Sequence, residues 1–265
     1  MFRVAAPAVA SAVASPAAGP RSPRGSMGRT SRARCRARSP VTLPPDPLRA
    51  GAGAPLAAVI LAGGRSTRMG RDKASLVLRG RTLLDRTLEA LYQLPDLVEV
   101  ILVLAPGQQA PPFAGAVPGV IVRDRLEGGG PLPAIALGLE AARAGSARVD
   151  VALVLGCDTP FVRPALLALL ARGAREQPVV LPVHDARPQP LCSAVRLEVL
   201  PAIEALLAAG KRAASVLADL PGARLLAASE WASADPDGLS FVGVNTPEEL
   251  RRAESTAALL AEPGR

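Results

Sequence analysis

The chain has 265 residues, of which 49% are hydrophobic and only 2% aromatic, so a buried core must be built from Leu, Val, Ala and Ile. Its formal net charge of +8 by itself favours nucleic acid or an anionic membrane as a partner. Nine arginines and one acid lie in residues 1–50, however, which leaves residues 51–265 neutral overall. The basic segment has no interleaved aromatic residues for base stacking, so we expect no nucleic-acid partner.

The cysteines and the apolar runs exclude two further classes of protein. Cys35, Cys157 and Cys192 are odd in number and far apart, which fits neither a zinc ribbon nor a dense disulfide framework. No apolar run reaches the roughly 18 residues that span a bilayer. We therefore expect a cytoplasmic protein with no membrane partner.

Residues 1–53 are rich in Ala, Pro, Ser, Arg and Gly and have no sustained apolar periodicity. Such a composition buries too little surface to offset the entropy of ordering, so we predict a disordered extension. The Arg- and Ser-rich, acid-poor bias is also typical of a transit peptide. We favour a dispensable extension, with Met27 or a later codon as the start.

From residue 56 onward, short β-branched or leucine-rich runs alternate with segments of helical periodicity, which is typical of βαβ units around a mostly parallel sheet. The predicted strands cover residues 58–61, 100–104, 120–123, 151–155, 179–183 and 192–196. Apolar residues at helical spacing predict helices around 84–91 and 132–139, and shorter ones at 203–207 and 215–220. The prediction is a single α/β domain over residues 54–265, with a Rossmann-like three-layer fold.

The last helix has a readable start. Thr246 is a typical N-cap, Pro247 suits the first helical position, and Glu249 completes a capping box. This helix should run to about residue 260.

A glycine pair follows the first predicted strand. Gly63 and Gly64 can adopt backbone geometry closed to other residues, so their N–H groups can turn towards an anion, with Arg68 and Lys73 adding positive charge. The spacing matches neither a Walker A loop nor the GxGxxG of redox cofactor folds. A simple chain-reversing turn is the alternative.

A carboxylate follows another buried strand. Asp158 comes directly after residues 151–155 and before Pro160, and ligands of open α/β sheets bind beyond the carboxyl ends of the strands. A carboxylate at that place suits Mg²⁺, which takes one or two protein oxygens and completes its shell with water and phosphate. The alternative is that Asp158 only caps the turn.

Three strings resemble one known family. Residues 61–73, LAGGRSTRMGRDK, resemble the signature loop of nucleotidyltransferases that load sugars, alditols and cofactors with a nucleoside monophosphate. The Gly-Gly form is typical of the molybdenum cofactor guanylyltransferases. CDTP at 157–160 resembles the metal-binding motif of that family and NTPEEL at 245–250 its closing motif, so that the resemblance spans about residues 56–255.

The resemblance implies the roles of the candidate residues. The implied catalytic residues are Arg68, Lys73 and Asp158, and the implied Mg²⁺ ligands are Asp124 and Asp158. The nucleotide would be bound by Leu61, Ala62, Gly63, Gly64, Lys73, Asp124 and Asp158. After Asp124 the family has GPLAGI, where this chain reads GPLPAI at 130–135.

The implied acceptor-binding residues are Gln189, Lys211, Arg212 and Asn245. Lys211 and Arg212 would hold the terminal phosphate of the acceptor, although a Lys-Arg pair between helices also fits a solvated turn. Many relatives have a second asparagine where this chain has Gly243. His184, the only histidine, lacks a spaced partner for a metal and is predicted to have a surface role.

The implied reaction transfers GMP from GTP to the terminal phosphate of molybdopterin, with or without molybdenum, and releases pyrophosphate. Transient contact with molybdoenzymes or their chaperones would follow. The alternatives are transfer of CMP or another nucleotide to a different phosphorylated acceptor, and a non-catalytic paralogue that binds the cofactor. Nucleic-acid binding through the basic segment ranks last.

Overall fold

The computed structural model describes residues 53–63, 73–112, 115–124, 128–145 and 148–261. Eight of its ten strands form a central sheet, and the other two, Val77–Leu78 and Arg81–Thr82, form a separate antiparallel pair. The predicted disordered extension lies outside the described residues except for Gly53, so the domain boundary stays a prediction. The strands are β1 (Leu56–Leu61), β2 (Val77–Leu78), β3 (Arg81–Thr82), β4 (Leu97–Leu104), β5 (Gly119–Arg123), β6 (Val151–Gly156), β7 (Val179–His184), β8 (Arg187–Pro188), β9 (Cys192–Arg196) and β10 (Ala223–Leu226).

The main sheet has the order β10-β7-β9-β6-β1-β4-β5, with β8 paired to β7 outside this path. Strands β6, β1, β4 and β5 pair in parallel, whereas β9 is antiparallel to both β6 and β7. All six predicted strands are present, and the sheet is mostly parallel as predicted. β1 and β6 are buried along their whole length because helices cover both faces.

Six α-helices accompany the strands within the described ranges. They are α1 (Leu83–Leu91), α2 (Pro131–Ala144), α3 (Pro164–Gly173), α4 (Leu200–Ala208), α5 (Ala228–Trp231) and α6 (Pro247–Ala261). The segment predicted as a helix at 215–220 is the 3₁₀ helix Ala214–Asp219. None of these helices is long and apolar enough to cross a membrane.

Alternate residues of β1 enter two different apolar cores. Ala58 and Ile60 pack in the core that contains leucines of α1 and α3, whereas Ala57 and Val59 pack in the core that contains α2 and α4. This alternation is the period-2 pattern of a strand between two layers. The predicted three-layer architecture is therefore confirmed.

Helix α2 contacts the sheet directly at Gly138, which faces β1. A Cβ at this position would lie 2.2 Å from Cγ1 of Val59 and 3.2 Å from Cγ2 of Val103. Only glycine fits this approach, and it brings the N-terminus of α2 near the carboxyl ends of β1 and β4.

The capping box predicted for the last helix is confirmed. The amide of Glu249 donates to Oγ1 of Thr246 at 3.1 Å, and Oε2 of Glu249 accepts from the amides of Thr246 at 3.0 Å and Asn245 at 2.6 Å. Ala253 and Ala257 of α6 pack in a third apolar cluster with Leu78 of β2. The carboxylate of Glu249 thereby fixes the backbone at Asn245.

Candidate active site

A pocket of about 690 Å³ lies where the carboxyl ends of β1, β4, β5 and β6 meet. After β1 the chain adds β4 and β5 on one side, and β6 then pairs on the other side of β1, so the pocket lies at a topological switch point. Its volume is in the range of small-molecule sites. The described residues that line it are Leu61, Gly63, Lys73, Val103, Leu104, Ala105, Pro106, Asp124, Gly128, Gly129, Gly130, Pro131, Ala134, Gly156, Cys157, Asp158 and Leu191.

The start of the glycine loop is packed against the end of β4. The amides of Ala62 and Gly63 both donate to the carbonyl of Val103, at 2.9 and 3.0 Å. A Cβ on Gly63 would lie 2.6 Å from the backbone nitrogen of Ala105. The prediction that the Gly63 amide turns towards an anion is therefore wrong: close approach of two backbones, rather than a positive φ, requires this glycine.

Gly64 and Arg68 lie outside the described residues, so their predicted roles stay predictions. Leu61 and Gly63 line the pocket, and their binding of a nucleotide stays a prediction. Ala62 is buried and does not belong to the lining; its backbone groups join the loop to β4 instead.

Lys73 links two of the predicted site residues. Its Nζ donates to Oδ2 of Asp158 at 3.1 Å and to Oδ1 of Asn245 at 2.5 Å. The side chains of Lys73 and Asp158 are each 24% exposed, so the pair is open to a ligand in the pocket. Asp158 and Asn245, which lie 85 and 172 positions after Lys73 in the sequence, thus both bond to its ammonium group.

The backbone around Asp158 is held on two sides. The amide of Val244 donates to the carbonyl of Asp158 at 2.8 Å, and the amide of Cys157 donates to the carbonyl of Leu61 at 3.2 Å. A Cβ on Gly156 would lie 2.5 Å from Oδ1 of Asp158, so that only glycine leaves room for the carboxylate. The carboxylate therefore points into the pocket from a fixed turn.

Asp124 lies in the same pocket, directly after β5. Its amide donates to the carbonyl of Leu104 at 2.8 Å, and its side chain is half-buried beside Gly128–Gly130. Asp124 and Asp158 are thus the two carboxylates of the described lining. Within the described residues no group of three or more His, Cys, Asp and Glu could hold a metal.

Comparison with known proteins identifies the family. The model of the MobA-like NTP transferase domain matches residues 58–226, more than half of the chain. The chain belongs to the MobA-like NTP transferase family. It is a nucleotidyltransferase with the fold that the sequence predicted.

Relatives of the same family cover most of the chain. A protein of Mycobacterium ulcerans described as a probable molybdenum cofactor guanylyltransferase is 39% identical over 199 residues, which is 74% of this chain and 91% of the relative. One from Mycobacterium bovis with the same description is 41% identical over 169 residues, 62% of this chain and 80% of the relative. The structure of molybdopterin-guanine dinucleotide biosynthesis protein A from Archaeoglobus fulgidus superposes with a TM-score of 0.61 at 22% identity, covering 77% of this chain and 99% of that one.

The structure does not bring the side chains of Lys211 and Arg212 into the pocket lining of this MobA-like domain. Both residues are exposed, and Nη1 of Arg212 donates to the carbonyls of Leu207 and Lys211, each at 2.8 Å. The guanidinium thus caps the C-terminus of α4. The backbone of Arg212 is closer to the site, because its carbonyl accepts from Leu132 at 3.0 Å and would lie 2.7 Å from a Cβ on Gly130.

Gln189 is likewise engaged elsewhere. Its amide donates to the carbonyl of Pro182 at 2.9 Å, and its Nε2 donates to the carbonyl of Arg187 at 3.1 Å and more weakly to that of His184. These bonds close the turn between β7 and β9, and Leu191 lines the pocket instead. The predicted acceptor role of Gln189 finds no support in this geometry.

Asn245 is the one predicted acceptor-binding residue whose side chain reaches the site. Its Oδ1 accepts from Lys73, and the capping box described above holds its backbone. Sequence reasoning missed Ala105, Pro106 and Leu191 of the lining, as well as Gln108, whose carboxamide joins the loops after β1 and β4. Their position directly after a predicted parallel strand, or beside one, is the signal that could have found them.

His184 and Cys192 contribute to the packing of the domain. His184 is half-buried rather than on the surface; its ring stacks on Phe241 with centroids 4.6 Å apart and meets Trp231 edge-on at 5.8 Å. Complete burial raises the pKa of the Cys192 thiol to about 12, aided by the nearby charge of Asp235. Cys157 and Cys192 are both buried, and neither forms a disulfide.

Proposed function

We propose that this nucleotidyltransferase transfers GMP from GTP to the terminal phosphate of molybdopterin, with or without molybdenum, and releases pyrophosphate. The observation that carries the proposal is the meeting of Lys73, Asp158 and Asn245 at one edge of a pocket whose other wall begins with Gly63. The 39% identity to a relative described as a molybdenum cofactor guanylyltransferase supports the choice of GTP and molybdopterin.

In this proposal Lys73 and the glycine loop hold the triphosphate; because the Gly63 amide is bonded to β4, Gly63 would form part of the pocket wall and Gly64 would supply the amide for the phosphates. The Lys73 ammonium lies at the pocket wall between two oxygen atoms, and a phosphate oxygen that enters the pocket can replace either of them as its partner. Arg68, outside the described residues, is proposed to stabilise the charge that develops on pyrophosphate.

Mg²⁺ fits the residues present. Asp158 and Asp124 offer two carboxylates in one pocket, and Mg²⁺ typically takes one or two protein carboxylates together with waters and phosphate oxygens. The Asp158 carboxylate already pairs with a cation, the Lys73 ammonium, which supports the proposal that it can pair with Mg²⁺. When bound, the metal would neutralise charge on the phosphates.

The acceptor needs orientation rather than activation. A phosphate monoester dianion is already a nucleophile, so the chain must hold it in line with the α-phosphate and exclude water. Asn245 is proposed to orient the acceptor, because its backbone is fixed by Glu249 and its amide faces the pocket edge at Lys73. The reaction is proposed to take place in the cytoplasm, with transfer of the product to molybdoenzymes or their chaperones.

The test is pyrophosphate release by the full chain with Mg²⁺ and molybdopterin, comparing GTP, CTP, ATP and UTP. We expect release with GTP alone, and release with none of the four would overturn the proposal. Ala134, which replaces the family glycine in GPLAGI, lines the pocket. A preference for CTP would therefore favour the cytidylyl alternative, with Ala134 as the first residue to revert to glycine.

A further inference from the structure

Gln108 continues the hydrogen-bond ladder between β1 and β4 beyond the point where the two strands end. Its Nε2 donates to the carbonyl of Ala62 at 3.0 Å, and its Oε1 accepts from the amide of Ala105 at 2.9 Å. The two bonds fix the orientation of the carboxamide, since a flipped group would set oxygen against oxygen and N–H against N–H. One side chain thus bridges the two loops as an extra peptide unit would.

The bridged backbones form one wall of the pocket. Ala62 precedes Gly63, and Ala105 is the residue whose nitrogen would lie 2.6 Å from a Cβ on Gly63. Both Gly63 and Ala105 line the pocket. Together with the bonds of the Ala62 and Gly63 amides to Val103, the carboxamide therefore helps to fix the distance between the glycine loop and the end of β4.

A third strand is tied to the same residue. The guanidinium of Arg123 donates from Nη1 to the backbone carbonyl of Gln108 at 2.5 Å, and Arg123 directly precedes Asp124. The amide of Asp124 in turn donates to the carbonyl of Leu104. The ends of β1, β4 and β5, which carry Gly63, Ala105 and Asp124, are thus joined through Gln108.

We propose that Gln108 is a positioning residue for the nucleotide: it does not line the pocket, but it holds the glycine loop and Asp124 at the spacing that the triphosphate requires. The inference rests on the proposed function in one respect, namely that a nucleoside triphosphate occupies this pocket. It does not depend on the identity of the acceptor.

The test compares Gln108→Met with Gln109→Met in the full chain. Methionine keeps the length of glutamine but makes neither hydrogen bond, and Gln109 is the exposed neighbour, so the control makes the same chemical change outside the clamp. We expect Gln108→Met to speed hydrogen exchange of the Ala105 amide and to raise the Kd and KM for GTP about tenfold, or about 1.4 kcal/mol. The KM for molybdopterin and all values of Gln109→Met should stay unchanged.

Several outcomes would overturn the proposal. Unchanged Ala105 exchange in Gln108→Met would show that there is no clamp, and faster exchange with an unchanged Kd for GTP would show that the clamp does not position the nucleotide. If Gln108→Met does not fold, Gln108→Asn replaces it; this side chain is polar and neutral but one methylene too short for both bonds, and wild-type affinity there would refute the proposal.

Failure of the proposed function can be distinguished from failure of the proposed role of Gln108. Wild-type protein that binds GTP but releases no pyrophosphate with molybdopterin would sink the proposed reaction, while the Kd values of the two variants would still decide the role of Gln108. Wild-type protein that binds none of the four nucleotides would overturn both proposals.

Discussion

Replacement of Lys73 by methionine separates two effects of its ammonium group. In the ligand-free protein Lys73 neutralises Asp158 across 3.1 Å and also bonds to Asn245. The lysine therefore competes with any divalent cation for Asp158, although it should later bind the triphosphate. We expect Lys73→Met to bind Mn²⁺ more tightly than wild-type protein when no nucleotide is present, and yet to lose turnover.

The magnitude follows from the geometry. An ion bound to Oδ2 of Asp158 at the usual distance of roughly 2.1 Å would lie within about 5 Å of Nζ of Lys73. A single and a double positive charge at that separation repel by roughly 1.5 kcal/mol in the dielectric of water, so the Kd for Mn²⁺ should fall about tenfold. Loss of one positioned charge at the phosphates should lower turnover roughly 10²- to 10³-fold.

The assay is titration of the nucleotide-free protein with Mn²⁺, read by the electron paramagnetic resonance of the free ion, followed by pyrophosphate release with GTP. Lys211→Met is the matched control, because Lys211 is the only other lysine of the chain and lies outside the pocket lining. Equal Mn²⁺ affinity in the two variants would refute the competition, and wild-type turnover in Lys73→Met would refute the phosphate role.

Three further predictions concern the scaffold of the site, each measured by denaturant unfolding. Gly138→Ala should destabilise the protein by roughly 1–3 kcal/mol because its Cβ meets Val59 at 2.2 Å; the additional change Val59→Ala should recover part of the loss, and additive effects would contradict this. Glu249→Ala should cost about 1 kcal/mol, since it removes the cap bonds to Thr246 and Asn245, and should raise the KM for the acceptor; an unchanged KM would refute the role given to Asn245. Burial raises the pKa of Glu99, which is 6% exposed, so the stability from its neutral form is fully present below the usual value of 4.5 and is lost as pH rises through the raised pKa. Glu99→Gln should therefore gain stability relative to wild type as pH rises above 4.5, and parallel pH profiles would contradict this.

The sequence predicts the central strands well because their apolar runs are strong and uninterrupted. The predicted strand at 151–155 agrees with β6 to within one residue, and the capping box at Thr246 appears as predicted. β10 was missed because only Leu226 of its four residues is buried, so that its sequence carries no alternating pattern. The opposite edge strand, β5, is also mostly exposed but was predicted, because its sequence GVIVR is rich in β-branched residues. Helix α3 was missed although it is largely apolar and partly buried.

Only part of the site could be predicted, because local pattern reveals strand ends and motifs but not contacts between distant residues. Asp158, Asp124 and Lys73 follow from strand ends and a known motif, whereas the bond between Lys73 and Asn245 joins residues that no local pattern relates. Arg212 shows the opposite case: its charge suggested an anion partner, but its guanidinium donates to the carbonyls of Leu207, in the last turn of α4, and of Lys211. Backbone carbonyls at a helix end and the phosphate of a ligand are both acceptors for a guanidinium, and sequence alone does not decide between them.

The charges of the pocket constrain the chemistry that it can perform. Among the described residues of the lining, one ammonium, that of Lys73, lies with two carboxylates, those of Asp124 and Asp158. The two phosphate-bearing substrates of the proposed reaction would repel each other, so that reaction would need positive charge close to the α-phosphate. A divalent cation at Asp124 and Asp158 would supply it on one side and release Lys73 for the triphosphate on the other. Asp158, which is paired with Lys73 in the structure, would then be paired with the divalent cation instead, and the Lys73 ammonium would be a second positive charge on the phosphates.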